Sequence, residues 1–166
     1  MKPTNSNKTG RSTAQDVVMT PPETAIKILN HFKPTGKILE PCRGDGAFYN
    51  AMEGDKHWCE ISEGKDFMEW NWTNKIDWII TNPPYSIYDM FLEKAMSVAE
   101  NIVFFVPFSK LFKSKSNDIM VKNYGDIKEI VNMGTGQQHG FNMGFVVGCI
   151  HFKKNYKGDI KYTRLY

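Results

Sequence analysis

The tetrapeptide Asn82-Pro83-Pro84-Tyr85 is the segment of this chain whose residue types point most specifically to chemistry. Two consecutive prolines lack N–H donors and stiffen the backbone, so they fix a carbonyl oxygen in place at a strand end. The Asn82 amide oxygen beside the Pro83 carbonyl makes a pair of acceptors that can bind both hydrogens of an amino group on an aromatic ring. Such acceptors draw charge toward them as the nitrogen becomes positive during transfer of a methyl group, which is stabilisation aimed at the transition state. Tyr85 can stack on the same ring. The competing reading is a proline-stiffened turn with no chemistry.

A second constellation lies upstream. In Leu39-Glu40-Pro41-Cys42-Arg43-Gly44-Asp45-Gly46-Ala47-Phe48 an apolar strand runs into a turn with two glycines and then into a helix. Glycine permits positive φ and lets a ligand approach the main chain closely, and ligands of open α/β sheets sit at such strand ends. The third glycine of a dinucleotide fingerprint is missing, as is the Gly-Lys-Ser/Thr of a phosphate loop, so a phosphate-bearing cofactor and a dehydrogenase are disfavoured. Two later acids reinforce the site. Glu60 closes the second strand, where a carboxylate can accept hydrogen bonds from both hydroxyls of a ribose. Asp66, in Gly64-Lys65-Asp66-Phe67, can accept from an adenine amine. Glu40 is a further carboxylate that either faces the cofactor or holds the turn.

The elements that must position these groups alternate. Thr20 can cap a helix that has Pro21 and Pro22 in its first turn and Ile26, Leu29 and Phe32 at helical spacing. Strands are expected at Lys37–Glu40, around His57–Glu60, at Asp77–Thr81, Asn101–Val106, Ile127–Val131 and Phe145–Phe152, with a last one near Asp159–Thr163. Helices are expected from Ala47, over Ile87–Glu100 and over Ser114–Val121. Strands alternating with helices predict an α/β fold, a mainly parallel sheet covered on both faces. Residues 1–15 read as a flexible, polar and basic tail carrying Lys2, Lys8 and Arg11, and 16–166 as a single domain.

Composition narrows the class. The 166 residues suffice for one domain with a substantial core, and 41% hydrophobic with 23% charged residues is ordinary for a soluble globular chain. A net charge of +3 permits an encounter with a polyanion without demanding it. No apolar run approaches the roughly 20 residues that span a bilayer, so no membrane partner is expected. The three widely spaced cysteines fit a reduced, cytoplasmic setting, and no CxxC pair calls for a metal.

From Thr20 to Phe152 the sequence resembles the S-adenosylmethionine-dependent amino-methyltransferases, and among them the DNA adenine N6-methyltransferases. Thr20-Pro21-Pro22-Glu23 is similar to the opening cofactor segment of that family and Glu40 to Phe48 to its glycine turn. Asp77 to Tyr85 is similar to its strand and catalytic loop, and Phe104-Phe105-Val106-Pro107 to the strand beyond. The resemblance implies a Rossmann-like class I sheet of about seven mainly parallel strands with an antiparallel last strand. It also implies S-adenosyl-L-methionine as cofactor, held by Thr20, Pro21, Glu40, Pro41, Cys42, Gly44, Gly46, Phe48, Glu60, Asp66, Phe67 and Asn82. The reaction it implies is direct methyl transfer to a base flipped from the stack, with Asn82, Pro83, Pro84 and Tyr85 as the catalytic loop and no covalent enzyme intermediate. The chain departs from the family in lacking a sizeable target-recognition region. Only the segment 108–123, with Lys110, Lys113 and Lys115, and the loop Gly134–Gly144, with Gln137, Gln138 and His139, remain to contact nucleic acid. A partner or a second copy of the chain would then supply sequence reading. RNA adenine and a protein glutamine amide stand as alternative acceptors, and a non-catalytic cofactor-binding module as an alternative class.

Overall fold

The computed structural model describes residues 18–111, 114–142 and 144–166; the basic tail and Lys113 lie outside them. In chain order the elements are α1 (Pro22–Phe32), β1 (Lys37–Glu40), α2 (Ala47–Ala51), β2 (Asp55–Trp58) and β3 (Ile76–Thr81). They continue with α3 (Tyr88–Val98), β4 (Ala99–Pro107), α4 (Lys115–Tyr124), β5 (Gly125–Thr135), β6 (Val146–Lys154) and β7 (Lys161–Arg164). The seven strands form one sheet in the order β2-β1-β3-β4-β6-β5-β7. The first four are mutually parallel. β6 runs antiparallel to both its neighbours, and β7 joins the edge parallel to β5. The antiparallel strand is thus the sixth, not the last: β7 adds an outer strand beyond the β5–β6 hairpin.

The alternation along β4 divides the core. Ile102, Phe104 and Val106 pack with Tyr88, Phe91, Leu92 and Ala95 of α3 and with Val121 and Tyr124 of α4. Val103 and Phe105 face the opposite side, where Ala25, Ile28 and Leu29 of α1 and Phe48 of α2 cover the sheet. A strand buried on both faces has no polar side, which is why β4 reads as a continuous apolar run. β1 lies between β2 and β3, so the chain order reverses at β1, and ligands of open sheets bind at such a switch point.

Helix α1 differs from its sequence reading in two respects. Pro21, not Thr20, occupies the cap position, and its carbonyl accepts from the Thr24 and Ala25 N–H groups. The Thr20 hydroxyl is engaged elsewhere, by the Asn82 side chain. The buried stripe is Ala25, Ile28 and Leu29, one helical turn at i, i+3 and i+4, and it leaves Ile26 48% exposed. The helix ends at Lys33, whose φ of 46° is left-handed, ahead of Pro34.

A polar cluster ties the far edge of the sheet to α1. The buried Glu129 carboxylate on β5 accepts from Thr163 Oγ1 (2.6 Å) and Lys161 Nζ (3.0 Å) of β7 and lies 3.0 Å from His31 Nε2 of α1. Burial pushes this carboxyl upward, but the hydrogen bonds from Thr163, Lys161 and His31 together hold it below the usual glutamate value. A folded-state value below the unfolded one contributes stability above about pH 4.3, and that stability is lost as pH falls through the folded value. Urea unfolding of the Glu129→Gln variant should therefore show a shallower acid-side loss of stability than wild type below about pH 4.3. Identical pH profiles for the two proteins would remove this cluster from the account of acid lability.

Candidate active site

The turn after β1 is built around two glycines in the left-handed region. Gly44 has φ 55° and Gly46 φ 91°. A Cβ at Gly44 would sit 3.2 Å from the Met19 sulfur, and one at Gly46 would sit 3.1 Å from Asn50 Nδ2. The turn is pinned to the β2 side by Arg43 N–H donating to Cys59 O and Cys59 N–H donating to Glu40 O, both at 2.9 Å. Gly44 N–H donates to Glu60 Oε2 at 2.8 Å, and Glu60 Oε1 accepts from Ser62 N–H (3.1 Å) and Ser62 Oγ (2.7 Å). β2 ends at Trp58, so Glu60 lies just past it and caps the 3₁₀ turn Ile61–Glu63. Partial burial raises the Glu60 carboxyl, but the Ser62 and Gly44 donors and the Arg43 charge outweigh this and keep it ionised below its ordinary range.

The catalytic-loop candidate begins where β3 stops. Thr81 Oγ1 lies 3.0 Å from Cys42 Sγ, and that thiol donates to the Asn82 carbonyl at 3.2 Å, joining the two turns. Asn82 Nδ2 donates to Val18 O at 3.0 Å and Thr20 Oγ1 at 3.3 Å. These bonds orient Asn82 Oδ1 toward Tyr85, whose hydroxyl donates to it at 2.7 Å. The Tyr85 ring lies nearly parallel to that of Phe141, at 14° and 6.3 Å between centroids. Lys110 Nζ donates to the Tyr85 carbonyl at 3.2 Å and stands 5.6 Å from the ring centroid.

Between the two turns lies a cavity of about 500 Å³ whose wall includes Val18, Pro41, Gly44, Asp45, Glu60, Ile61, Asp66, Phe67, Asn82, Pro84, Ile87 and Phe91. A recess of about 40 Å³ continues it toward Thr20, Glu40, Phe48 and Asn82. Phe67 and Phe91 make its apolar side, their rings 4.9 Å apart. Asp66 Oδ1 accepts from Met68 N–H at 2.9 Å. The charges of this lining are mostly acidic, from Glu40, Asp45, Glu60 and Asp66. Arg43, the basic side chain of the recess, is ion-paired with Glu63 and lies over the Trp58 ring.

Among the expected cofactor residues, the folded chain brings Cys42, Gly44, Glu60, Asp66, Phe67 and Asn82 to one cavity, and Thr20, Glu40 and Phe48 to its recess. Pro41 lines the cavity, whereas Pro21 serves as the cap of α1 and Gly46 as the left-handed start of α2. The nucleic-acid candidates fare differently. His139 is buried; its Nδ1 lies 2.8 Å from Thr24 Oγ1 and its Nε2 2.8 Å from the Met133 carbonyl. Both ring nitrogens hold the loop against α1, so the expectation that His139 reads a base is corrected. Gln138 completes a capping box with Thr135, and Gln137 is exposed. Lys110 braces the Asn82–Tyr85 loop, and Lys115 is exposed at the start of α4. Phe141 and Phe91 were not singled out as site residues by the sequence. Phe141 sits in a loop without periodicity, 56 residues from its ring partner Tyr85, and Phe91 carries the spacing of any core residue on α3.

The architecture is that of the class I methyltransferases. No protein-family model matches the chain, and no curated protein sequence matches it. Solved structures do. A type I restriction-modification system methyltransferase subunit from Streptococcus thermophilus superposes with a TM-score of 0.64 at 14% identity, over 89% of this chain and 47% of that one. A protein described as a class I S-adenosylmethionine-dependent methyltransferase, from Listeria monocytogenes, gives 0.63 at 14% identity over 86% and 63%. One described as an RNA methyltransferase, from Pyrococcus horikoshii, gives 0.56 at 14% over 80% and 81%. The chain thus spans about half the length of the Streptococcus subunit and under two thirds of the Listeria protein. At these identities the likeness is one of fold.

Burial pushes the Cys42 thiol far above the usual range, which its bond to Thr81 only partly offsets. The thiolate is the reactive species, so Cys42 should alkylate slowly with iodoacetamide at neutral pH although it borders the cavity. Mass spectrometry of the native protein should find Cys42 unmodified over times that label a free thiol fully; rapid labelling would show that the Cys42–Thr81–Asn82 contact opens.

Proposed function

We propose that this chain is a S-adenosylmethionine-dependent methyltransferase acting on the exocyclic N6 amine of adenine in DNA. The observation that carries the reading is the placement of the Asn82 loop on the rim of the same acid-lined cavity as the glycine turn. A cationic nucleoside suits that lining: carboxylates surround it, and the recess's guanidinium is already paired with Glu63. A phosphate-bearing cofactor would meet uncompensated repulsion there. Gly44 offers close main-chain approach, Glu60 has acceptor capacity for ribose hydroxyls beyond its Gly44 and Ser62 bonds, and Asp66 with Phe67 would hold the adenine. The cofactor supplies a methyl group on a positively charged sulfur.

The residues of the loop do the rest. Asn82 Oδ1 and the Pro83 carbonyl accept the hydrogens of the incoming amine, which replaces the Tyr85 hydroxyl at Oδ1. Nitrogen is most nucleophilic when its lone pair is directed at the methyl carbon, and these two acceptors set that direction. They also stabilise the positive charge that grows on nitrogen. The proton leaves afterwards to water, so no strong base is required. Tyr85 presents a ring on which the flipped base stacks, with Phe141 alongside and Lys110 fixing the backbone beneath. Exposed Lys115 is suited to a phosphate contact. Sequence reading in this scheme comes from a partner subunit or a second copy, in keeping with the multi-subunit assembly of type I systems to which one structural neighbour belongs.

Incubation with tritiated cofactor followed by separation of DNA, RNA and protein acceptors tests the reaction and its acceptor together. Label in DNA is the expected result; label in RNA or protein alone would reassign the acceptor while keeping the chemistry. The Asn82→Ala variant should lose on the order of 100-fold or more in transfer rate while losing far less of its affinity for S-adenosylhomocysteine, since Asn82 is one of many cavity residues. Transfer within a factor of about two of wild type would remove Asn82 from the mechanism.

Gly44→Val addresses the cofactor half. A β-branched residue at positive φ is strained, and its side chain would project beside Met19 into the cavity wall. Calorimetry should show a loss of S-adenosylhomocysteine binding in a variant that retains the wild-type circular dichroism. Unchanged affinity would place the cofactor elsewhere.

A further inference from the structure

The cover of the sheet is uneven. On the α3 side, Phe104 of β4 and Ile150 and Phe152 of β6 are buried in the apolar cluster that α3 and α4 share. One strand further out, Ile130 and Asn132 of β5 are only half-buried, and on β7 Tyr162 is 51% exposed and Arg164 is exposed. Register puts these side chains on the same face. Ile150 stands opposite Ile130 and Ile130 opposite Tyr162, while Gly148 stands opposite Asn132 and Asn132 opposite Arg164. The reverse face of β7 is already occupied, since Lys161 and Thr163 are both committed to Glu129.

The uncovered patch has a specific make-up. Arg164 Cζ lies 5.2 Å from the centre of the Tyr162 ring, and the Tyr162 hydroxyl accepts from Asn132 Nδ2 at 2.9 Å. Arg164 has no carboxylate partner among the described residues. A charge on an outer strand guards it against pairing with another edge, but that task needs no aromatic ring. The patch also continues toward the candidate active site. The Phe108 ring rests against Gly148, where a Cβ would come 2.8 Å from Phe108 Cε1 and Cζ. In the same 3₁₀ turn, Phe108–Lys110, the Lys110 ammonium donates to the Tyr85 carbonyl. From β4 to β7 the sheet order β4-β6-β5-β7 spans about 14 Å at ordinary strand spacing. Lys110, Phe108, Asn132 and the Tyr162–Arg164 pair thus form a strip from the Asn82–Tyr85 loop to the sheet edge, basic and aromatic, with no carboxylate in it.

We propose that this strip is a track for single-stranded DNA, holding the nucleotides that adjoin the target base. It deepens the DNA reading above and rests on it for the identity of the polymer. Inside a duplex the faces of the bases are closed off by their neighbours, whereas an unpaired strand offers them to aromatic side chains. Tyr162 and Phe108 are the stacking surfaces, and Arg164 and Lys110 meet the phosphates. Negative charge alternating with flat rings is the chemistry that complements such a strip. A second copy of the chain fits it less well, because a two-fold contact sets a patch against itself and brings the two Arg164 charges together. Stacking accepts any base, so the track positions the strand without reading its sequence.

Fluorescence anisotropy on the whole chain tests the assignment, with a labelled mixed-sequence DNA of about 16 nucleotides offered as single strand and as duplex, and the RNA strand of the same sequence. Wild type should bind the DNA strand on the order of 10-fold more tightly than the duplex. The double variant Tyr162→Ala/Arg164→Ala should bind that strand about 10-fold more weakly, with unchanged circular dichroism and unchanged affinity for S-adenosylhomocysteine. Tyr162→Phe, which keeps the ring and loses the bond to Asn132, should bind as wild type does. Irradiation of a strand carrying 5-iododeoxyuridine should crosslink wild type at Tyr162 or Phe108, a readout that needs no variant. Equal affinity for duplex, strand binding untouched by the double variant, or crosslinks confined to other surfaces would each overturn the proposal. So would tighter binding of the RNA strand, or a wild-type dimer that the double variant dissociates in sedimentation; either result would give the face to that partner. Strand binding is read without turnover. Binding that behaves as expected, with no methyl transfer to any acceptor, would therefore overturn the enzymatic reading and leave the track in place.

Discussion

Every feature of the candidate site depends on the parallel register of β1 against β3, with Ile38 opposite Trp78 and Leu39 opposite Ile79. That register makes both strands end side by side, so that the glycine turn and the Asn82 loop emerge as neighbours. The Cys42 thiol then reaches Thr81 and the Asn82 carbonyl and joins the two turns at their roots. A slip of one residue would send each side chain of β1 to the other face. Leu39 would leave the α3 side and Ile38 the α1 side, and both core clusters would lose a fully buried member. Core packing on two faces therefore enforces the geometry of a site that lies beyond the sheet.

The site is also held from outside the sheet. Asn82 is anchored by Val18 and Thr20, the segment that leads into α1, and α1 is in turn held by His31 to β5 and by Thr24 to His139. The amide acceptor of the Asn82 loop is thus oriented by bonds to a distant part of the chain. Fixing such a group before substrate arrives is what makes electrostatic stabilisation effective, because little reorganisation remains to be done during the reaction. In this resting arrangement the Tyr85 hydroxyl serves as the internal partner of Asn82 Oδ1, which keeps that acceptor from being a buried unpaired oxygen.

Carboxylates of the same cavity have been given opposite protonation tendencies by their surroundings. Glu60 is met by N–H and O–H donors and stays ionised. Glu40, at the end of the adjacent strand β1, is desolvated, and burial raises its carboxyl well above the usual carboxylate range. One type of side chain is thus shifted in opposite directions at two neighbouring strand ends, a difference set by burial and donors.

Local sequence determined the elements and the halves of the site. Apolar runs such as Ile102–Val106, proline and glycine punctuation, and the tetrapeptide at 82–85 are signals carried by neighbours in the chain, and strands, turns and the two constellations follow from them directly. The residues Cys42, Gly44, Glu60, Asp66 and Asn82 were legible for the same reason: each stands at a strand end or turn. What only the tertiary structure decided are contacts between distant segments. Phe141 reaches Tyr85, Val18 and Thr20 reach Asn82, Lys110 braces a backbone carbonyl, and His139 turns inward to Thr24, so none of these assignments has a local periodicity to announce it. The antiparallel insertion of β6 between β4 and β5, with β7 outside, is likewise a matter of strand pairing, which depends on partners far along the chain. Propensity and pattern act over a few residues, whereas the environment that raises the Glu40 carboxyl and lowers that of Glu60 exists only once the sheet has closed around them.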